Sequence, residues 1–122
     1  MIKLDAFTRS YIVTMLWSTT DESTPEGGEP MDANYSGADV APIALVQIVA
    51  DCEAFQKECS DHYDDSEQAG HDFWLTRNGH GAGFWDGDYP EPEASILTAA
   101  SKRFGELYPY VGDDGLIYTG GE

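Results

Sequence analysis

Residue types capable of acid–base chemistry crowd into one stretch of this chain: His71, Asp72, Arg77, Asn78, His80 and Asp86. A histidine beside a carboxylate can move protons near neutral pH, and His71, His80 and Asp86 together could ligate a divalent cation. The spacing speaks against a metal. There is no His-x-x-x-His pair on a helix, no Cys-x-x-Cys and no second cluster at ligand spacing. The competing reading is structural: Gly79, Gly81 and Gly83 shape a turn and His80 caps it by hydrogen bonds. The cluster therefore stands as a secondary candidate site, and no catalytic residue, metal or cofactor is assigned.

The remaining chemistry-bearing residues read more simply. Cys52 and Cys59 fall seven apart on one helical face, about 10 Å along the axis, too far to bridge. They read as buried thiols rather than nucleophiles. His62 closes the same seam as an edge histidine. The glycines between Asn78 and Gly83 lack the Lys-Ser/Thr pair of a phosphate loop. Trp74 and Trp85 have too few basic neighbours to stack bases and read as core. Asp113 and Asp114 lack the twelve-residue calcium pattern, and turn chemistry accounts for them.

The elements that must position these residues follow from periodicity. Phe7, Tyr11, Met15 and Ile12, Leu16 make a helical stripe over Ala6 to Ser18, with Asp5 as N-cap. Residues 19–37 read as a mobile acidic loop rich in breakers. A second helix, capped by Asp39 or Ser36, carries a seam of Leu45, Ile48, Cys52, Phe55, Cys59 and His62. Its opposite face reads as nearly all acidic. Asp72–Arg77 and Gly83–Asp86 read as strands of a hairpin turning at Asn78–Gly81. A third helix buries Ile96, Leu97, Ala100 and Phe104, and Gly105 ends it. Tyr108–Val111 and Leu116–Tyr118 flank Gly112-Asp113-Asp114-Gly115, a second hairpin. The expected fold is α+β in a single domain over 1–122: three helices packed on a small antiparallel sheet of about four short strands.

Charge limits what such a domain can meet. The chain carries 23 Asp and Glu against 6 Lys and Arg, a formal −17 on 122 residues. Residues 21–72 hold fourteen of those acids and a single base, Lys57. Phosphates repel such a surface, so direct nucleic-acid binding is not expected. A basic protein surface attracts it. Asp51, Glu53, Glu58, Asp61, Asp64, Asp65 and Glu67 are the candidate partner-binding residues, and a homodimer would double this charged track. No apolar run approaches the ~20 residues of a membrane span, and the amino terminus lacks the pattern of a secretory signal, so a cytoplasmic setting is expected.

The run His71-Asp72-Phe73-Trp74-Leu75-Thr76-Arg77-Asn78-Gly79-His80-Gly81-Ala82-Gly83-Phe84-Trp85-Asp86, with Tyr110-Val111-Gly112-Asp113-Asp114-Gly115, resembles a group of small acidic proteins encoded by bacteriophages and mobile elements. That signature carries no assigned chemistry, so it transfers no catalytic role. It implies a setting in a bacterial host. Accessory phage proteins often inhibit host enzymes or defences, some by imitating the DNA backbone. The resemblance and the charge together lead to an expected non-enzymatic inhibitor that occupies the basic cleft of a host DNA- or RNA-processing protein. Two alternatives stand beside it: an antirestriction-type interaction module binding through an apolar hairpin surface, and a small enzyme or metal module centred on residues 71–86.

Overall fold

Helix α1 (Ala6–Ser18) starts where Asp5 Oδ1 accepts the backbone N–H of Thr8 at 2.8 Å. An N-cap bond of this kind satisfies one of the orphan donors of the first turn. The helix buries Phe7, Tyr11, Ile12, Met15 and Leu16, as its periodicity requires. A computed structural model describes residues 4–21, 28–79, 83–85 and 89–121.

After α1, strands β1 (Thr20–Asp21) and β2 (Glu29–Pro30) form a short antiparallel pair. Met31 follows, 1% exposed, with its N–H on the carbonyl of Thr19. Ser36 and Asp39 cap a single 3-10 turn, Gly37–Asp39, through reciprocal bonds rather than opening the long helix. Helix α2 (Pro42–Cys59) starts at Pro42, whose missing N–H costs nothing in a first turn. Its seam of Ile48, Cys52, Phe55 and Cys59 is buried as expected. Leu45 is half-buried, and His62 lies beyond the helix in the turn Ser60–His62.

The opposite face of α2 departs from the acidic reading. Ile43 is 74% and Val46 60% exposed, and Ala50 and Ala54 are also exposed. The helix is acidic on its outside only toward its end.

Helix α3 (Ser66–Arg77) replaces the expected strand at Asp72–Arg77. Nearly every residue from Ala69 to Arg77 is buried, Asp72, Thr76 and Arg77 included, so beyond its first turn this helix has no solvent-facing side to reveal a 3.6-residue period. A continuous apolar run does not distinguish a buried helix from a buried strand. Its start was signalled, since Asp65 accepts from the N–H of Gln68 at 3.1 Å. Gly70 permits the close approach to α1: a Cβ there would lie 2.1 Å from the Phe7 carbonyl oxygen. Polar pairs run along this seam, with Ser10 Oγ donating to Glu67 O at 2.6 Å and Trp74 Nε1 to Ser18 Oγ at 2.8 Å.

Helix α4 (Glu93–Lys102) buries Ala94, Leu97, Ala100 and Ser101, while Ile96 is exposed and Phe104 half-buried beyond the helix end. Gly105, at φ +79°, ends the following turn. Strands β3 (Leu107–Val111) and β4 (Ile117–Gly121) form the expected hairpin, with Tyr110 opposite Tyr118. Ile117 also bridges Val40, and its carbonyl accepts the Ala41 N–H at 2.8 Å.

The fold is α+β, but with four helices and two separate two-stranded antiparallel sheets among the described residues. An aromatic cluster fills the centre, with Phe55 stacked on Phe73 at 4.3 Å between centroids and on Phe84 at 5.7 Å. No helix among the described residues is long and apolar enough to cross a membrane.

Candidate functional site

Four of the six residues in the secondary cluster fall on or just after α3, and each is tied into the packing. His71 Nδ1 lies 2.8 Å from the Thr14 hydroxyl, with its ring stacked against Trp17 at 5.8 Å. Asp72 is 2% exposed and accepts from Gln68 Nε2 at 2.9 Å and from the Tyr89 hydroxyl at 3.0 Å. Asn78 ends the helix, donating to the Trp74 carbonyl and accepting the Leu107 N–H at 2.7 Å. It thereby fastens the hairpin to α3. His80 and Asp86 lie outside the described residues.

Arg77 is the most heavily used of them. Its Nε donates to Gly105 O at 2.8 Å and its Nη2 to Phe104 O at 2.9 Å. Its Nη1 reaches the Tyr11 hydroxyl at 3.1 Å and Asp51 Oδ2 at 3.0 Å. The guanidinium also lies 5.6 Å from the ring centres of both Phe73 and Phe104. Buried charges persist only when paired and hydrogen-bonded in this way. Arg77 is a hub joining α1, α2, α3 and the turn after α4.

The two thiols are free and buried. Burial pushes the Cys52 thiol far up, and burial with the charge of Glu58 pushes Cys59 up to about 11. Both are neutral thiols at physiological pH, the state of a small apolar residue rather than a nucleophile. Among the described residues no group of three or more His, Cys, Asp or Glu is arranged to hold a metal ion.

The seven acids proposed to meet a partner divide by their surroundings. Asp51 is bound to Arg77 and also accepts Gln47 Nε2 at 2.8 Å, so it belongs to the interior network. Glu58 pairs with Arg103. Asp65 is exposed and holds the N-cap of α3. Glu53, Asp61, Asp64 and Glu67 are exposed, and the side chains of Asp61 and Asp64 have no hydrogen bond or ion pair with any described residue.

Asp61, Asp64 and Asp65 belong to the turn between α2 and α3, and with Glu93 at the start of α4 they line an open cleft of about 430 Å³. Tyr63 and Tyr89 form part of its wall. His62 Nδ1 stands 3.8 Å from Glu93 Oε2 across it. Sequence reasoning named the acids but missed Tyr63, Tyr89 and Glu93. Tyr63 belongs to the α2–α3 turn itself, whereas only the return of the chain into α4 brings Tyr89 and Glu93 beside that turn, and no local pattern records that return. Comparison with protein-family models, with curated proteins and with solved structures finds no match to the chain.

Proposed function

We propose that this protein is an acidic accessory protein of a bacteriophage or mobile element that inhibits a host nucleic-acid-processing enzyme by seating its acidic pole in the enzyme's basic cleft. The observation that carries the reading is the run of exposed carboxylates without basic partners along the second half of α2, the turn that follows it and the start of α3: Glu53, Asp61, Asp64, Asp65 and Glu67. Few cations offset them: Arg77 is buried and Arg103 is engaged by Glu58, which leaves Lys57 as the exposed cation on the last turn of α2. The start of α3 is fixed by the Asp65 cap and α2 is tied to α3 by the Asp51–Arg77 pair, so the backbone that presents the charge is ordered before binding and side-chain rotamers are what remain to be fixed. The resemblance of residues 71–86 and 110–115 to phage-encoded acidic proteins supplies the setting.

The test is a pull-down from bacterial lysate at about 50 mM and about 500 mM salt, using the intact chain and the Asp61→Lys/Asp64→Lys variant. Those two positions are chosen because neither side chain supports the fold. Association driven by charge is screened when the Debye length falls from about 14 Å to about 4 Å. A nucleic-acid-processing protein retained at low salt, lost at high salt and lost by the variant supports the reading. Retention unaffected by the two substitutions overturns it. A second reading, an interaction module that binds through apolar surface, is favoured by the exposure of Ile43 and Val46 on α2. Its partner would persist at high salt.

A further inference from the structure

The hairpin carries a second surface of different chemistry. Tyr108 and Tyr110 stand on one face of β3, 59% and 46% exposed, and Tyr118 stands opposite Tyr110 on β4. Their rings form a ladder, 6.2 Å from Tyr108 to Tyr110 and 5.8 Å from Tyr110 to Tyr118. The ladder lies flat on the sheet because two glycines let it. A Cβ at Gly120 would meet the Tyr108 ring at 2.6 Å, and one at Gly112 would meet Tyr118 at the same distance. The Tyr118 hydroxyl donates to Asp114 Oδ2 at 2.6 Å, so this tyrosine offers outward mainly its ring face.

The open edge of β3 is a poor docking site. The Gly112 N–H donates to the Leu116 carbonyl, which sets the alternation so that residues 107, 109 and 111 direct their backbone groups outward. The Leu107 N–H is taken by Asn78, and Pro109 has none to offer. The edge resists strand addition, and the tyrosine face is what remains.

Charge selects the occupant. From Phe104 to Gly121 there is no Lys or Arg, while Glu106, Asp113 and Asp114 are acidic. A second copy would bring like charges together, and nucleic-acid phosphates would be repelled. A guanidinium is planar and weakly hydrated, stacks on aromatic faces and pairs with carboxylates, which a lysine ammonium does less well. We infer that the Tyr108–Tyr110–Tyr118 face is a docking surface for an arginine-bearing segment of a partner polypeptide. Asp61 follows the far end of α2, about 27 Å along that 18-residue helix from the place where Ile117 meets Val40, while the start of β3 lies nearer, through Gly105 on Arg77 and Arg103 on Glu58. The inference rests on the rings rather than on the Asp61 and Asp64 carboxylates, so its failure and that of the proposed function are distinguishable.

The test titrates the intact chain with nona-arginine and with nona-lysine, which carry equal charge, while the tyrosine ring signals are followed by NMR. Stacking on two or three rings should make the arginine peptide bind about fivefold tighter or better, with shifts at Tyr108, Tyr110 and Tyr118. The preference should fall to near unity in Tyr108→Ala/Tyr110→Ala. In Asp61→Asn/Asp64→Asn both affinities should fall together and their ratio should survive. Equal binding of the two peptides by the intact chain overturns the inference. So does an arginine preference whose ring shifts fall elsewhere, an observation that needs no variant to fold. A concentration-dependent dimer abolished by the tyrosine substitutions would overturn it too, by assigning the face to a second copy.

Discussion

Replacing Asp51 by alanine should destabilise the whole fold, although the residue lies on the helix whose acids were expected to face a partner. The Arg77 side chain is 2% exposed and that of Asp51 15%. Four donor–acceptor contacts hold the guanidinium, and Asp51 supplies the only anionic one. In Asp51→Ala the cation stays buried among neutral acceptors. Breaking a buried ion pair by removing one partner costs about 3–5 kcal/mol. The partial exposure of Asp51 lets water reach the vacated space, which places the cost near the lower end, about 3 kcal/mol. For a domain of this size that is a fall in Tm of roughly 10–15 °C. Glu58→Ala is the matched control. Its pair with Arg103 is about half exposed on both sides, so its loss should cost under about 0.5 kcal/mol. Urea and thermal unfolding followed by circular dichroism on both variants give the comparison. Equal stabilities for the two would refute the reasoning. The same result guards the functional assay, because lost binding in an Asp51 variant would report unfolding rather than a lost contact.

Gly70→Ala should destabilise by about 3 kcal/mol in urea unfolding, since the new methyl meets backbone of α1 and overpacking outweighs the gain in helix propensity. Neither thiol should be alkylated by iodoacetamide at neutral pH until denaturant is added, and mass spectrometry reads this directly; rapid labelling of Cys52 in the native protein would contradict its burial. For Asp5, burial alone would raise the carboxyl, but bonds from Thr8 and Gln56 and the charge of Arg9 hold it below 3.8. Because the folded value is depressed, its stabilisation is present above the unfolded value and is lost as pH falls through the folded one. Asp5→Ala should therefore cost about 1 kcal/mol at pH 7, and the difference from the intact chain should shrink once pH drops below 3.8.

Where burial was one-sided, the chain declared its structure in advance. Helix α1 and its Asp5 cap, the buried seam of α2 and the Gly112–Gly115 hairpin turn were all legible, because each pairs a periodic apolar face with turn or cap residues. Helix α3 was not, because burial on all sides erases the period, and Phe73-Trp74-Leu75 is as good a strand as a helix by composition. The Asp65-x-x-Gln68 cap was the available signal, masked by reading the surrounding acids as a charge run. Ser36 and Asp39 were recognised as capping residues but serve the 3-10 turn instead, since Pro42 can begin a helix without them. The acids were legible as charge but not as roles. Nothing in sequence spacing tells Asp51, which faces a buried arginine 26 positions away, from Asp61, which faces solvent. The exposed Ile43 and Val46 were absorbed into the expectation of an acidic outer face.

Competition with DNA tests the central claim most directly. The enzyme retained by the intact chain at low salt is bound to labelled duplex DNA, and unlabelled protein is added at rising concentration. If the acidic pole occupies the nucleic-acid cleft, DNA and protein bind exclusively. The protein then displaces the duplex completely, and Asp61→Lys/Asp64→Lys displaces it at least tenfold less well. A ternary complex of enzyme, duplex and protein, or displacement untouched by the two charge reversals, would contradict the account.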